Sequence, residues 1–274
     1  MSERLDAALA ARGLARSRTH AAGMIADGLV TVDGRPVVKS SARVEESSVI
    51  EVAEFDHYVS RAAHKLISAL DAFPIEVEGR VALDMGASTG GFTQVLRERG
   101  ADPVIAVDVG HGQLSERIRD DPGVVAVEGY NVRDMTPKSL AAVSGVDRAP
   151  SLVTGDLSFI SLALVLPAVR ATMAPGGDAV LLIKPQFEVG RTAVRGGLVT
   201  DPASRADAVA GVLWAAWDAG LGTHGVIASP LPGTHGNHEF VAWLRGRDAS
   251  GADGDADAAN PSAWLALVNE LTQR

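Results

Sequence analysis

The sequence predicts an α/β protein: a doubly wound parallel sheet with helices on both faces, preceded by a small α+β module. Two observations predict the sheet. From Val81 onward, apolar runs of strand length alternate with longer segments of helical periodicity, and such alternation means parallel strands joined by helical crossovers. The run Val81–Met85 also crosses a tight turn, Gly86-Ala-Ser-Thr-Gly-Gly91, and restarts as a helix through Leu96. The module is predicted by charge: residues 1–43 hold seven Lys/Arg against four Asp/Glu, net +3, on a chain whose formal charge is −9. A basic front end on an acidic body is the asymmetry of an appended nucleic-acid module, although a solvated face accounts for three charges equally well.

In chain order, residues 3–12 place Leu5 and a row of alanines at helical spacing, and Ser17 is positioned to cap a second helix through Ala26. Leu29–Val32, the turn Asp33-Gly34 and Pro36–Val38 read as a hairpin, with Val49–Val52 as a further strand. The module spans 1–53, and residues 54–59 form a polar linker. Tyr58–Leu70 reads as a helix capped by Ser60, with Arg61 and Lys65 four apart on one face.

The sheet domain covers 60–248. Its further strands are Pro103–Asp108, Val124–Val127, Leu152–Asp156, Ala179–Lys184, Gly225–Ala228 and Glu239–Leu244. Helices are expected near Gln113–Arg119, Pro137–Val143, Leu162–Met173 and Ala203–Ala219, where Trp214 and Trp217 read as core. Five or six parallel strands with a late, closely coupled last strand would make this the methyltransferase variant of the doubly wound, Rossmann-like fold. Residues 249–260 are acidic, low in complexity and expected to be disordered, and a last helix occupies 261–274.

Composition removes several classes. Without cysteine there is no disulfide scaffold and no thiolate zinc site, which fits a reducing cytoplasm. No signal peptide and no apolar run of bilayer length is visible. His235-Gly-Asn-His238 lacks a rigid spacing and a third ligand, so no metal is expected.

The glycine-rich loop admits several readings. Gly86-Ala-Ser-Thr-Gly90 matches a hydrolase nucleophile elbow with Ser88 as nucleophile, but several strands should precede an elbow and no oxyanion-hole motif is present. A dinucleotide loop would need glycine at position 88. A nucleoside-cofactor loop of the S-adenosylmethionine type needs no third spaced glycine, and a plain connecting turn needs no ligand at all. Ligands of open parallel sheets bind at the carboxyl ends of the strands. Asp84, Asp108, Asp156 and Lys184 fall at those ends, and Asp108 follows Gly86 by 22 residues, the spacing of a ribose-binding acid. If the last strand is antiparallel, Glu239 reaches the same edge, and Lys65 can fold over it. Lys184 ends an apolar run, so desolvation and a second lysine would lower its pKa; a lysine that only reaches solvent is the bland alternative. Arg191 and Arg195, among glycines, fit an RNA-facing flap or a plain surface loop.

Two resemblances then add to these readings. Arg4-Leu-Asp, Leu14-Ala-Arg-Ser-Arg18 and Gly28-Leu-Val-Thr-Val-Asp-Gly-Arg-Pro36 resemble the S4 RNA-binding module. This implies that Arg4, Arg16, Arg18, Arg35 and Lys39, with Arg61 beyond the linker, follow an RNA backbone. Tyr58–Lys65, Leu83–Thr93, Asp156-Leu-Ser-Phe-Ile-Ser161, Lys184-Pro-Gln-Phe-Glu-Val-Gly190, Ser229–Gly233 and Gly236-Asn-His-Glu239 resemble, in that order, the TlyA (hemolysin-type) family, an S4 module joined to an FtsJ-like ribose methyltransferase. The resemblance implies S-adenosylmethionine-dependent 2′-O-methylation of a cytidine in ribosomal RNA, 16S, 23S or both, within ribosomal subunits. It implies a catalytic tetrad of Lys65, Asp156, Lys184 and Glu239. It also implies cofactor contacts from Asp84, Gly86, Ser88 and Gly90, from Asp108 at the ribose and from Asn131, with Asp134 close by, at the adenine. A non-catalytic ribosome-assembly protein is the alternative, and a cytolysin a remoter one, since no membrane-entering span is visible.

Overall fold

The structure is a computed structural model that describes residues 2–26, 28–52, 57–190, 194–233, 236–247 and 260–273. Residues 54–56 of the expected linker, Arg191, His235 and nearly all of the acidic 249–260 stretch lie outside the described residues. The chain divides into two compact units, Met1–His57 with Thr234–Gly236, and Tyr58–Gly233 with Asn237–Arg274.

In the first unit, strand β1 (Glu3–Arg4) leads into helices α1 (Leu5–Ala11) and α2 (Arg18–Ala26). Ser17 Oγ accepts the His20 N–H at 3.1 Å, the cap its position suggested. Strands β2 (Val30–Val32), β3 (Arg35–Pro36), β4 (Arg43–Val44) and β5 (Ile50–Val52) follow, forming a β3-β2-β5 sheet and a separate β1-β4 pair. Asp33 and Gly34, at φ 50° and 74°, make the tight turn. The second hairpin strand stops at Pro36 instead of running to Val38, and a single further bond, Val37 N–H to the Val30 carbonyl at 3.1 Å, continues past it. The first helix starts at Leu5, since Glu3 and Arg4 are drawn into pairing with β4. Leu5, Leu9, Ile25, Val30 and Val44 form the core.

The second unit opens with α3 (Ala63–Ala72). This helix begins three residues after Ser60, whose Oγ accepts from Ala62 N–H and whose carbonyl accepts from Ala63 N–H. Arg61 therefore lies in the preceding turn, and the expectation that Arg61 and Lys65 share one helical face is not met. Alternation then runs β6 (Ala82–Met85), α4 (Gly91–Glu98), β7 (Val104–Asp108), α5 (Glu116–Arg119), β8 (Val124–Glu128), α6 (Pro137–Ser144), β9 (Leu152–Gly155), α7 (Leu166–Thr172) and β10 (Asp178–Ile183). After them come α8 (Pro185–Glu188), α9 (Pro202–Asp218), β11 (Leu221–Ala228), β12 (Phe240–Gly246) and α10 (Leu265–Gln273). The helix expected over 162–173 is split into a 3₁₀ turn and α7, because Pro167 cannot bond back into a preceding turn.

The seven strands stand in the order β11-β12-β10-β9-β6-β7-β8. β12 is antiparallel to both of its neighbours, while the pairs among β6 to β10 are parallel. Order reverses between β6 and β9, which places a crevice at their carboxyl ends. One apolar layer, including Leu83, Leu181 and Phe240, packs on one face, and a second, including Leu66, Leu96 and Val180, on the other. Among the described residues no helix is long and apolar enough to cross a membrane. Leu181 is fully buried on the central strand β10. Leu181→Ala is expected to destabilise the chain by about 2–5 kcal/mol in urea unfolding; a loss below about 1 kcal/mol would contradict this packing.

Candidate active site

The loop after β6 is shaped by positive φ angles. Gly86 sits at φ +77°, where a Cβ would come within 3.0 Å of the Asp156 carbonyl oxygen and 3.1 Å of a Leu157 methyl. Gly90, at φ +97°, caps α4, and a Cβ there would meet Ile118 and Leu114 at 2.9 Å. Ser88 takes φ +48° without being glycine, and its N–H donates to Asp108 Oδ2 at 2.8 Å while Gly110 N–H donates to Oδ1 at 2.7 Å. Asp108 thus ties the loop to the end of β7. Above it opens a cleft of about 460 Å³, whose lining includes Gly86, Ser88, Asp108, Asn131 and Asp156.

Two of the other predicted cofactor residues, Gly90 and Asp84, do not line the cleft. Gly90 packs beside Ile118 of α5. Asp84, expected at a strand tip, is sealed within β6, where its oxygens accept from Thr93 Oγ1 at 2.6 Å and Thr154 Oγ1 at 3.1 Å. Asp84 joins β6, α4 and β9 instead of meeting a ligand directly. Asn131 does line the cleft, but its Oδ1 accepts from Arg133 N–H and caps a 3₁₀ turn. Asp134 is exposed outside the lining.

At one end of the cleft, four ionisable groups converge. Lys65 Nζ donates to Glu239 Oε2 at 2.6 Å and lies 3.9 Å from Asp156 Oδ2. Lys184 Nζ lies 2.6 Å from Asp156 Oδ1 and donates to Ser158 Oγ at 2.8 Å. Lys65, Lys184 and Glu239 are 6%, 8% and 3% exposed, so water screens these contacts little. The Lys184–Asp156 contact is close but not aligned as a hydrogen bond, leaving Asp156 Oδ1 without a hydrogen-bond partner. The register explains the convergence: Ile183 pairs with Phe240, so Lys184, just past the end of β10, and Glu239, just before β12, meet at one edge. Such a cluster can hold a hydroxyl between two cations and two carboxylates. Among the described residues no group of histidines and carboxylates is arranged to hold a metal ion.

Residues 58–246 match the model of the FtsJ-like methyltransferase family, and residues 3–50 match the S4 domain. The chain belongs to the FtsJ-like methyltransferase family. A curated relative, the 16S/23S rRNA (cytidine-2′-O)-methyltransferase TlyA of Mycobacterium tuberculosis, is 50% identical over 245 residues, covering 88% of this chain and 89% of the relative. Hemolysin A of Brachyspira hyodysenteriae is 37% identical over 87% of this chain and 98% of its own length. The solved structure of a hemolysin-type protein from Streptococcus thermophilus superposes with a TM-score of 0.73 at 34% identity, covering 99% of this chain and 97% of that one. An FtsJ-like methyltransferase has no use for a nucleophile elbow, and Ser88 serves this family member through its backbone N–H.

The S4 domain of this FtsJ-like methyltransferase gathers only some of the expected cations. Arg4 and Arg18 both meet buried Asp6: Arg4 Nε and Nη2 at 3.0 Å each, and Arg18 Nη2 at 3.2 Å. Paired first of all with Arg4, the Asp6 carboxyl is pulled down to about 2. Arg16, Arg35 and Lys39 are exposed at separate positions. Sequence reasoning missed Asp6 and Ser158, as well as Tyr130 and Phe159 in the cleft lining. Phe159 is 92% exposed at φ +63° and lies against Phe187, with ring centroids 5.2 Å apart; an aromatic just past the strand tip at Asp156 was the available signal.

Burial raises the Asp84 carboxyl to about 6 from an ordinary 3.8, against the opposing pull of Thr93 and Thr154. Because the folded value lies above the unfolded one, Asp84 favours folding below about pH 4, and this contribution is lost as pH rises past 6. Asp84→Asn carries no such charge, so its stability relative to wild type should rise between pH 4 and 7 by roughly 2–3 kcal/mol. Parallel stability curves for the two proteins across that range, from urea unfolding, would refute the assignment.

Proposed function

We propose that this chain transfers a methyl group from S-adenosylmethionine to the ribose 2′-hydroxyl of a cytidine in ribosomal RNA, acting on ribosomal subunits in the cytoplasm. The observation that carries this reading is the buried Lys65–Glu239 and Asp156–Lys184 cluster beside the Gly86 cleft. The curated relative of 50% identity bears the same activity in its name.

The cleft suits the cofactor on physical grounds. Its volume falls within the range of small-molecule sites. The missing Cβ at Gly86 keeps the loop close to Asp156, and the Asp108 carboxylate, held by two backbone N–H groups, retains lone pairs for a ribose diol. Gly86 and Ser88, in the cleft lining, would hold the methionine part, and Asn131 and Tyr130 the adenine. When bound, the cofactor supplies an electrophilic sulfonium methyl.

A ribose hydroxyl is a weak nucleophile, so the protein must orient it and accept its proton. With its own proton passed to the Asp156 carboxylate 2.6 Å away, Lys184 takes the hydroxyl proton at Nζ, held from another side by Ser158. Lys65 fixes Asp156 and Glu239 in turn, and Glu239 meets the target ribose. Asp156, which lines the cleft, would meet the cationic end of the cofactor. The S4 domain supplies sequence-independent attraction to RNA phosphates through Arg16, Arg18, Arg35 and Lys39, with Arg4 oriented by Asp6. Arg61, in the turn before α3, is a further cation for RNA phosphate on the methyltransferase unit.

Tritiated-methyl transfer to unmodified small and large ribosomal subunits, followed by mapping of the modified ribose, tests the reading directly. Lys184→Ala should lower transfer by about 10²- to 10⁴-fold while S-adenosylmethionine binding measured by calorimetry persists. Full transfer by that variant would refute the role given to Lys184.

A further inference from the structure

Past α8, the chain makes a short exposed hairpin, in which Arg195 and Leu198 exchange both backbone hydrogen bonds, at 2.9 and 3.0 Å, around Gly196 and Gly197. The two glycines take φ 58° and 83°, which side-chain-bearing residues resist and which gives a tight two-residue turn. A surface turn of this kind ordinarily needs no support from below. This one has two buried anchors. Asn237, 3% exposed, donates Nδ2 to the Gly197 carbonyl at 2.7 Å and accepts from Val199 N–H at 3.1 Å. Arg205, 6% exposed, donates to the carbonyls of Val199 and Thr200, at 3.4 and 3.2 Å, and to that of Thr272 in α10, at 3.1 and 2.6 Å.

The same asparagine reaches the active site. Its carbonyl accepts from Gly233 N–H at 2.8 Å. Gly233 in turn packs so closely on the Glu239 carboxylate that a side chain at 233 would occupy the place of Oε1. The hairpin, Gly233 and Glu239 therefore share one anchor. At the exposed hairpin, among the described residues, no hydrogen bond or ion pair engages the Arg195 guanidinium. Burying an asparagine amide and a guanidinium costs free energy unless every donor is matched. Rigidity is what those matched bonds supply, and a rigid arm loses little entropy when it binds.

We propose that the Arg195–Leu198 hairpin is a substrate arm, held to the catalytic edge by Asn237, whose Arg195 guanidinium grips a phosphodiester of the RNA strand entering the site. The inference rests on the RNA-methylation reading above. A planar, forked cation with free donors matches a phosphate, and it need not recognise sequence. Asn237 is a positioning residue, acting through the hairpin and through Glu239.

Methyl-transfer kinetics and filter binding with unmodified ribosomal subunits test the arm. Arg195→Ala should raise KM about tenfold while kcat falls less than threefold, and should reduce the slope of log affinity against log salt by about one. Arg195→Lys should recover only part of the KM, because a point charge replaces a fork. Asn237→Ala should raise KM and lower kcat together; its thermal melt identifies loss of folding, and the Arg195 variants stand independently of it. If wild type methylates the subunits and Arg195→Ala matches it in KM and salt slope, the arm is refuted. If wild type transfers no methyl, the RNA-methylation reading fails first, and equal filter retention of wild type and Arg195→Ala then refutes the arm as well.

Discussion

One strand running the wrong way governs the active site. β12 enters the sheet antiparallel between β10 and β11, so its beginning lies at the edge where its neighbours end. Backbone pairing alone then brings Glu239 beside Lys184, with no loop needing to fold back for the purpose. The parallel pairing of β9 with β10 does the same for Asp156. Only Lys65 arrives from outside the sheet, on a helix whose apolar side, Leu66, Ala69 and Leu70, is buried. The site's precision is thus inherited from ladder hydrogen bonds and a packed helix, which are the stiffest parts of the fold.

Putting four charged groups out of water is expensive, and replacing such a set by apolar side chains often leaves a protein no less stable. The arrangement here limits that cost by alternation: each lysine meets a carboxylate, and Lys65 touches two. Nothing about the fold requires the cluster, since the sheet is held by apolar layers on both faces. Its persistence at the ligand edge is explained by chemistry. Another buried acid, Asp84, serves a different end, stitching β6 to α4 and β9 through two threonine hydroxyls.

Much of this was legible in the chain. Strand-helix alternation exposed the sheet, and the apolar run ending at Lys184 identified a cation delivered to the ligand edge. What escaped had physical causes. The β1-β4 pair is two residues long on each side and leaves no periodic trace. The boundary of α3 depended on how Ser60 bonds locally, and a serine can close a turn as readily as it caps a helix. Asp84 was placed at a strand tip because a sequence shows where an acid falls but not which hydroxyls it will find. Asn237 was invisible for the same reason: its partners, Gly197, Val199 and Gly233, are backbone groups, and these carry no signature in a sequence.

The Asp6 pairing alters how the basic module should be counted. Seven cations against four acids within residues 1–43 suggest a broadly positive surface. Yet Arg4 spends its fork on Asp6, and Arg12 gives two nitrogens to the carbonyls of Ser48 and Glu45, at 2.7 and 2.9 Å. Counterions condensed on a polyanion are displaced only by charges that reach its phosphates. The effective valence of this module is therefore smaller than its composition, and part of its positive charge is structural material that holds the remaining guanidinium groups at fixed bearings.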